Sequence, residues 1–276
     1  MRKKQKNFDG GNSINVPLEY AELASGSSFA GLQLLDTSIN DVITNAQYEW
    51  RHYYVTIGWS RGDYLKNKGS KTQIINLVST VTNNASKKMQ KLLTTGIFQT
   101  TKVASTDIDG LVVAICAAGG TACGGLTSTD FANWAPQRDT STTKLSLSAM
   151  NTLYRSAMDG PDAPTIAVTT DAIMGYYYDI ATPLQRYEKT DEAAQGFTTL
   201  LFNGIPVVVD KSCPAGYLFM LNEDHLNLFV HSDEDMRVKP VQEPLNQAAS
   251  LGQIFWYGNI GTDARRRQAV MTAITA

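Results

Sequence analysis

Two β-patterned stretches joined by a greasy tip restrict this chain more than any other feature. From Ile14 to Tyr20, the apolar residues Ile14, Val16, Leu18 and Tyr20 alternate with Asn15, Pro17 and Glu19. That is the period of a strand with one covered face, and Pro17 makes it an edge strand or an irregular one. Small residues from Ala24 to Ser28 lead into Phe29, Leu32, Leu34 and Leu35. A second β-like run extends from Ile39 to Ser60, ending with Trp50, His52, Tyr54, Thr56 and Gly58 set against Tyr53, Val55, Ile57 and Trp59. Together they read as a long β-hairpin arm. An isolated hairpin is marginal in water, and exposed apolar patches mark contacts. Either a neighbouring subunit covers the arm or it folds onto its own domain.

The polar residues 1 to 13, with Gly10, Gly11, Asn12 and Ser13 together, read as an extended or mobile arm. The spacing predicts a helix over about 70–95, where Ile74, Leu77, Val78, Val81, Ala85, Met89 and Leu92 recur at helical intervals. Ser70 suits its N-cap and Gly96 its end, and the length would be roughly 38 Å. A second helix is expected over about 147–158, capped by Ser146 and ended by Gly160. Short elements then alternate: strand 165–168, helix 171 to about 180, and strands at 205–209, 217–221, 226–230, 236–241, 249–257 and 268–274. The mixed order gives an α+β fold class.

At 276 residues, with 43% apolar and 18% charged residues, the composition is that of a folded chain. A net charge of −2 excludes a strongly basic nucleic-acid binder. Three cysteines, Cys116, Cys123 and Cys213, leave an odd count without a disulfide framework and fit a reducing compartment. No apolar run is long enough to span a membrane, and the basic start lacks the apolar core of a secretory signal.

The last quarter carries a family resemblance. The run Phe202-Asn203-Gly204-Ile205-Pro206-Val207-Val208, closing at Asp210, resembles a strand entry in the major capsid proteins of tailed bacteriophages. The following Gly216-Tyr217-Leu218-Phe219-Met220-Leu221-Asn222, then Tyr257-Gly258-Asn259-Ile260 and Arg265-Arg266-Arg267, are similar to later steps of that family. Upstream, Ile14 to Ala21 and Asn45 to Arg51 resemble the two limbs of its E-loop. Each motif alone is weak, and their order makes the case.

The resemblance implies an HK-97-like capsid fold. Residues 1–13 would be the N-arm and 14–60 the E-loop; 61–112 and 223–276 the peripheral domain, its spine helix at about 70–95; and 113–222 the axial domain. It implies a homo-oligomer of pentamers and hexamers, located in the virion and in the host cytoplasm during assembly, with portal, scaffolding or cement proteins as partners. The contact residues would be Phe29, Leu32, Leu34 and Leu35 at the hairpin tip, Trp50 and Tyr54 on its second limb, and Tyr176, Tyr177 and Tyr178 in the axial domain. Arg2, Lys3, Lys4 and Lys6 would touch packaged double-stranded DNA or a scaffold, weakly and with salt sensitivity. Many relatives carry a scaffolding segment that is cut off. None precedes Met1 here, so either scaffolding is separate or the chain is a trimmed form. Some relatives crosslink an E-loop lysine to an asparagine. No lysine lies between Lys6 and Lys66, so such isopeptide bonds are not expected. An encapsulin-type compartment shares the fold, but it normally begins with an amphipathic helix that residues 1–13 do not show.

Catalytic patterns are thin. Gly58, Ser60 and Gly62 spell the Gly-x-Ser-x-Gly of a nucleophile elbow, with Asp171 or Asp210 and His225 or His231 in triad order. Lys66 to Gly69 delays the helix the elbow needs, and no oxyanion motif precedes it, so a serine hydrolase is a minor alternative. Gly119, Gly120, Gly124 and Gly125 lack a phosphate-loop lysine and read as a flexible loop. Cys116 and Cys123 read as buried or free thiols, not zinc ligands. Asp233, Glu234 and Asp235 read as an acidic turn, and Arg265 to Arg267 as an ion-paired surface. No catalytic, cofactor or metal residue is assigned, and the chain is expected not to be an enzyme.

Overall fold

The computed structural model describes residues 5–66, 71–118, 120–141, 144–185 and 200–275. The first strands are β1 (Gln5–Phe8), β2 (Ile14–Glu19), β3 (Ile43–Tyr48), β4 (Arg51–Ser60) and β5 (Gln137–Asp139). They are followed by β6 (Ile166–Thr169), β7 (Leu200–Phe202), β8 (Ile205–Val209) and β9 (Leu218–Leu221). The last are β10 (Leu226–His231), β11 (Arg237–Gln242), β12 (Ala249–Thr262) and β13 (Ala269–Met271). The α-helices are α1 (Arg61–Lys66), α2 (Lys71–Phe98), α3 (Leu147–Ala157) and α4 (Asp171–Gln185).

A five-stranded sheet is built around β12. One edge of β12 pairs antiparallel with β4 over its first ten residues, from Ala249 opposite Ser60 to Gly258 opposite Arg51. The other edge pairs first with β11 and then with β10, so the stretch from Leu226 to Gln242 runs antiparallel to β12 with a break between the two strands. β1 adds to β10 in parallel, Gln5 opposite Leu228 and Phe8 opposite His231. Alternation along β4 and β12 aims Ile57, Ile254 and Trp256 at one face, where Ala85 and Met89 of α2 and Ile108 complete a core. At 28 residues, α2 is about 42 Å long.

Six strands make the second sheet, in the order β5-β13-β9-β6-β8-β7. Met150, Leu153 and Ala157 of α3 and Ile173 and Tyr177 of α4 bury against Ala167, Val207, Met220 and Met271. Ser146 caps α3 as the sequence suggests, its Oγ accepting from the Ala149 amide at 3.2 Å.

Several sequence expectations need correction. Gly96 does not end α2. It lies inside the helix, where a side chain would come within 2.9 Å of Ile108 and 3.0 Å of the Tyr53 hydroxyl, so glycine serves close packing and not termination. The proposed Ser70 cap lies outside the described residues. Of the two readings of the arm, extended or mobile, residues 5–8 take the extended one, as a strand of the five-stranded sheet with Phe8 edge-on to Phe229 at 5.6 Å. The run 39–60 is not one limb. β3 pairs with β2, but β4 leaves the hairpin for the edge of β12. β13 does not extend the sheet of β10 to β12 but pairs with β9 and β5. A strand's partner depends on chain far away in sequence, and local alternation does not encode it.

Candidate assembly surface

The arm divides into a rooted base and a projecting tip. In the base, β2 and β3 pair from Ile14 opposite Tyr48 to Glu19 opposite Ile43. Ile14, Val16, Leu18, Ala46 and Tyr48 all point inward and are buried with Phe98, Leu111, Phe229 and Ile260. Tyr48 is the anchor. Its hydroxyl donates to the Thr262 carbonyl at 2.8 Å and accepts from the Thr262 amide at 3.0 Å. Burial pushes its phenol well above the ordinary range. Gly124 lets the 123–126 turn close on this base. It sits at φ +59, a side chain there would lie 2.8 Å from the Ala46 Cβ, and its carbonyl accepts the Gln47 amide at 2.8 Å. With Gly125 at φ +76 and reciprocal bonds between Cys123 and Leu126, this part of the glycine loop is a tight turn instead of the expected flexible segment. Gly119 lies outside the described residues.

The tip, residues 20–42, holds no strand or helix. Asn40 spans it, donating to the Glu22 carbonyl at 2.9 Å and accepting from the Ala24 amide at 2.7 Å. Beyond that clasp the apolar side chains face solvent: Leu32 is 104% and Leu34 95% exposed, with Phe29 at 65% and Leu35 at 60%. Each such side chain is worth roughly 1.5–3 kcal/mol if fully buried. Four of them therefore hold a gross association energy of at most about 6–12 kcal/mol, most of it unused within the subunit, since Phe29 and Leu35 are partly covered.

The remaining contact candidates separate. Tyr54, on the face of β4 away from α2, is exposed; in register beside it lie Phe255 and then Arg237, with the Lys239 ammonium 5.3 Å from the Phe255 ring. Trp50 is buried in its own subunit, stacked on Tyr257 at 4.8 Å with its indole N–H donated to the Gly11 carbonyl at 2.9 Å. Tyr177 is likewise an internal residue, its hydroxyl donating to the Leu201 carbonyl at 2.9 Å. Tyr176 is half-buried against α3 and its sheet, and Tyr178 lies at the border of exposure. Trp50 and Tyr177 are thus corrected from contact residues to core residues, because aromatic character alone does not tell a core ring from an interface ring. Of the basic start, Lys6 is exposed on β1, while Arg2, Lys3 and Lys4 lie outside the described residues.

Sequence reasoning missed how Arg265 is used. It is fully buried and not ion-paired on a surface. Its Nε donates to Ile115 O at 3.0 Å, Nη1 to Thr121 O at 2.9 Å, and Nη2 to Ala114 O at 2.7 Å and Ala117 O at 3.1 Å. These carbonyls end and follow the π-helical turn Leu111–Ile115, where the Ala114 carbonyl also takes the Ala117 amide at 3.3 Å. Arg267 does fit the ion-paired expectation. It bridges Asp162 and Asp159 and donates to His225 Nε2 at 2.7 Å, while His225 Nδ1 meets Asp263 at 2.8 Å. Both arginines bind the two crossings between the sheets, 222–225 and 263–268, to the chain around them.

Ser60 does not form an elbow. Contrary to the expected delay, α1 begins at Arg61 directly after it. However, the Ser60 hydroxyl donates to Asp63 Oδ2 at 2.8 Å and accepts the Asp63 amide at 3.1 Å, so it works as a helix N-cap. Its strand runs antiparallel along β12 and not inside a parallel sheet. Among the described residues no group of three or more His, Cys, Asp or Glu is placed to hold a metal ion, and no helix is long and apolar enough to cross a membrane.

No family model matches the chain, and no curated protein matches it. Solved structures do, over nearly its whole length. A cyanophage A-1(L) capsid asymmetric unit aligns with a TM-score of 0.73 at 15% identity, covering 99% of this chain and 91% of that one. The capsid of an empty GTA particle aligns at 0.65 and 12% identity, covering 98% and 94%. A Microbacterium phage Oxtober96 chain aligns at 0.63 and 10% identity, covering 99% and 90%. At such identities the likeness speaks for the fold. The chain has the α+β, HK-97-like capsid fold, with its long helix, two sheets and projecting hairpin.

Proposed function

We propose that this chain is the major capsid protein of a tailed phage, assembling through pentamers and hexamers into the icosahedral head that encloses the genome. Its place would be the virion, and the host cytoplasm during assembly; its role is structural, not enzymatic. The observation that carries the reading is the tip at 20–42, where Phe29, Leu32, Leu34 and Leu35 stand together in solvent on a segment without strand or helix. The capsid fold of its structural neighbours, one of them solved as a particle with C5 symmetry, supports the same conclusion.

In this reading β2, β3 and the tip form the E-loop. The five-stranded sheet with α2 forms the peripheral domain, joined by β1 from the N-arm and by β4. The six-stranded sheet with α3 and α4 forms the axial domain. The tip carries Glu22, Asp36 and Asp41 and no basic residue. It suits the uncovered face of a neighbour's five-stranded sheet, where Tyr54 and Phe255 supply apolar surface and Arg237 and Lys239 the opposite charge. Such heterologous contacts close into rings. Non-covalent overlap of this kind, with a cement protein where needed, would hold the shell without lysine crosslinks at the tip. Portal and scaffolding proteins would complete the head.

Negative-stain microscopy of the purified chain tests the reading directly. Closed particles of uniform size that protect DNA from nuclease are the expected result. Particles filled with cargo protein would point to a compartment shell instead. A chain that stays single at every concentration, in any salt and with its assembly factors present, would overturn the proposal.

A further inference from the structure

The 43 residues between Asp63 and Asp107 contain seven lysines (66, 68, 71, 87, 88, 91 and 102) and no aspartate or glutamate. Most of that stretch is α2. One side of the helix packs on β4 and β12 through Val81, Ala85, Met89 and Leu93. The other side presents Asn83, Asn84, Lys87, Lys88, Lys91 and Thr95 to solvent. Their spacing places them on one face over about 18 Å of helix. Lys87, Lys88 and Lys91 have no ion-pair partner among the described residues, whereas Lys102 is paired with Asp109. From residue 78 to residue 102 no large apolar side chain is exposed.

A bare, uniformly cationic, wholly polar face needs an anionic partner that brings no apolar surface. Two anionic candidates arise within the shell reading. The acidic tip of a second copy carries Phe29, Leu32, Leu34 and Leu35 among its three acids and would leave them uncovered against lysine and asparagine. A nucleic-acid backbone is anionic at every step and polar throughout. Lysine, asparagine and threonine are the side chains that contact phosphates without reading sequence.

We infer that the solvent face of α2, centred on Lys87, Lys88 and Lys91, is a surface of this protein that meets the phosphate backbone of packaged duplex DNA. The inference rests on the shell reading for where the DNA comes from, but not for how it is measured. The contact is non-specific, and its strength comes from release of counterions. It is separate from the basic start of the chain.

The test is the salt dependence of binding between dilute, unassembled full-length chain and a labelled random-sequence DNA duplex, read by fluorescence anisotropy. Each lysine on a phosphate adds about 0.9 to the slope of log affinity against log salt. The triple variant Lys87→Gln/Lys88→Gln/Lys91→Gln should lower that slope by about 2–3 and weaken binding at least roughly tenfold at low salt. The triple Lys→Arg variant should keep both, which separates charge from any change in the helix. The same loss should appear when Arg2, Lys3, Lys4 and Lys6 have already been replaced by glutamine. An unchanged slope in the glutamine variant, or no salt-dependent binding by the unaltered chain, overturns the inference. So does a glutamine variant that binds DNA normally but fails to close shells, matched by the same failure in Glu22→Gln/Asp36→Asn/Asp41→Asn, because the face would then belong to a second copy. Failure of the unaltered chain to form particles strikes the shell reading and leaves the slope measurement standing.

Discussion

At the scale of single residues, Arg265 shows how a charge can be buried without a counter-charge. Its guanidinium donates to carbonyls of the π-helical turn and of the chain after it, and those carbonyls satisfy it in return. Arg265→Met should remove several charge-assisted bonds and leave buried carbonyls unpaired. We expect a loss of about 3–5 kcal/mol in the denaturant unfolding of the isolated subunit. Arg265→Lys should recover only part of it, having fewer donors and no planar fork. The three thiols give a second residue-scale test. Burial holds Cys116 and Cys213 up to about 12 and Cys123 up to about 11, from an ordinary value of 9.0. Above pH 9 the unfolded thiols lose protons that the folded ones keep. Stability should therefore fall as pH rises from 9 toward 12, and be unaffected by the thiols below 9. Thermal midpoints of wild type and of a triple Cys→Ala variant across that range check the sign, since the variant's curve should fall less steeply. The sequence left Cys116 and Cys123 as buried or free thiols and gave no reading of burial for Cys213; all three are unpaired and buried. The role of Arg265 could not be read from sequence, because its partners are backbone carbonyls that any residue supplies.

At the scale of elements, periodicity located α2, α3, β2 and the strands of the last quarter, and each rests on a local repeat of apolar residues. What periodicity could not give is where an element stops and what it pairs with. Gly96 looked like a terminator, and it is a point of close approach. Ile39 to Ser60 looked like one strand, yet the chain changes partners between Tyr48 and Arg51. Trp50 packs at that corner, and the Tyr48 hydroxyl takes over the backbone groups of Thr262. Tyr48→Phe should therefore loosen the root of the hairpin while leaving its strands in register. The expected cost is about 1–3 kcal/mol, as one buried donor and one buried acceptor lose their partner. Hydrogen exchange should show faster opening of residues 14–19 and 43–48 than of the six-stranded sheet.

At the scale of the whole molecule, the arm resolves the two coverings its sequence left open, because its base folds onto its own domain and its tip does not. The outline of the HK-97-like fold was legible from the order of weak motifs, since together they record long-range topology that no single one does. The assignment of β4, β13 and β1 to their sheets was not, because the chain crosses between the sheets and returns. Replacing both Leu34 and Leu35 with aspartate should leave the unfolding midpoint of the subunit unchanged, as neither side chain touches its core. Electron microscopy of the same preparation should show no closed particles. Normal shells from this variant would mean that the tip is not a contact.

The rooted base and bare tip also bear on how such a chain can change over time. Nothing inside the subunit leans on residues 25–39, so replacements or insertions there meet no objection from the core. In the shell reading, selection on that stretch comes from neighbours, while the strands beneath it answer to folding. In that reading, lineages built on this plan are free to redesign the joinery of their containers without renegotiating the architecture of the brick.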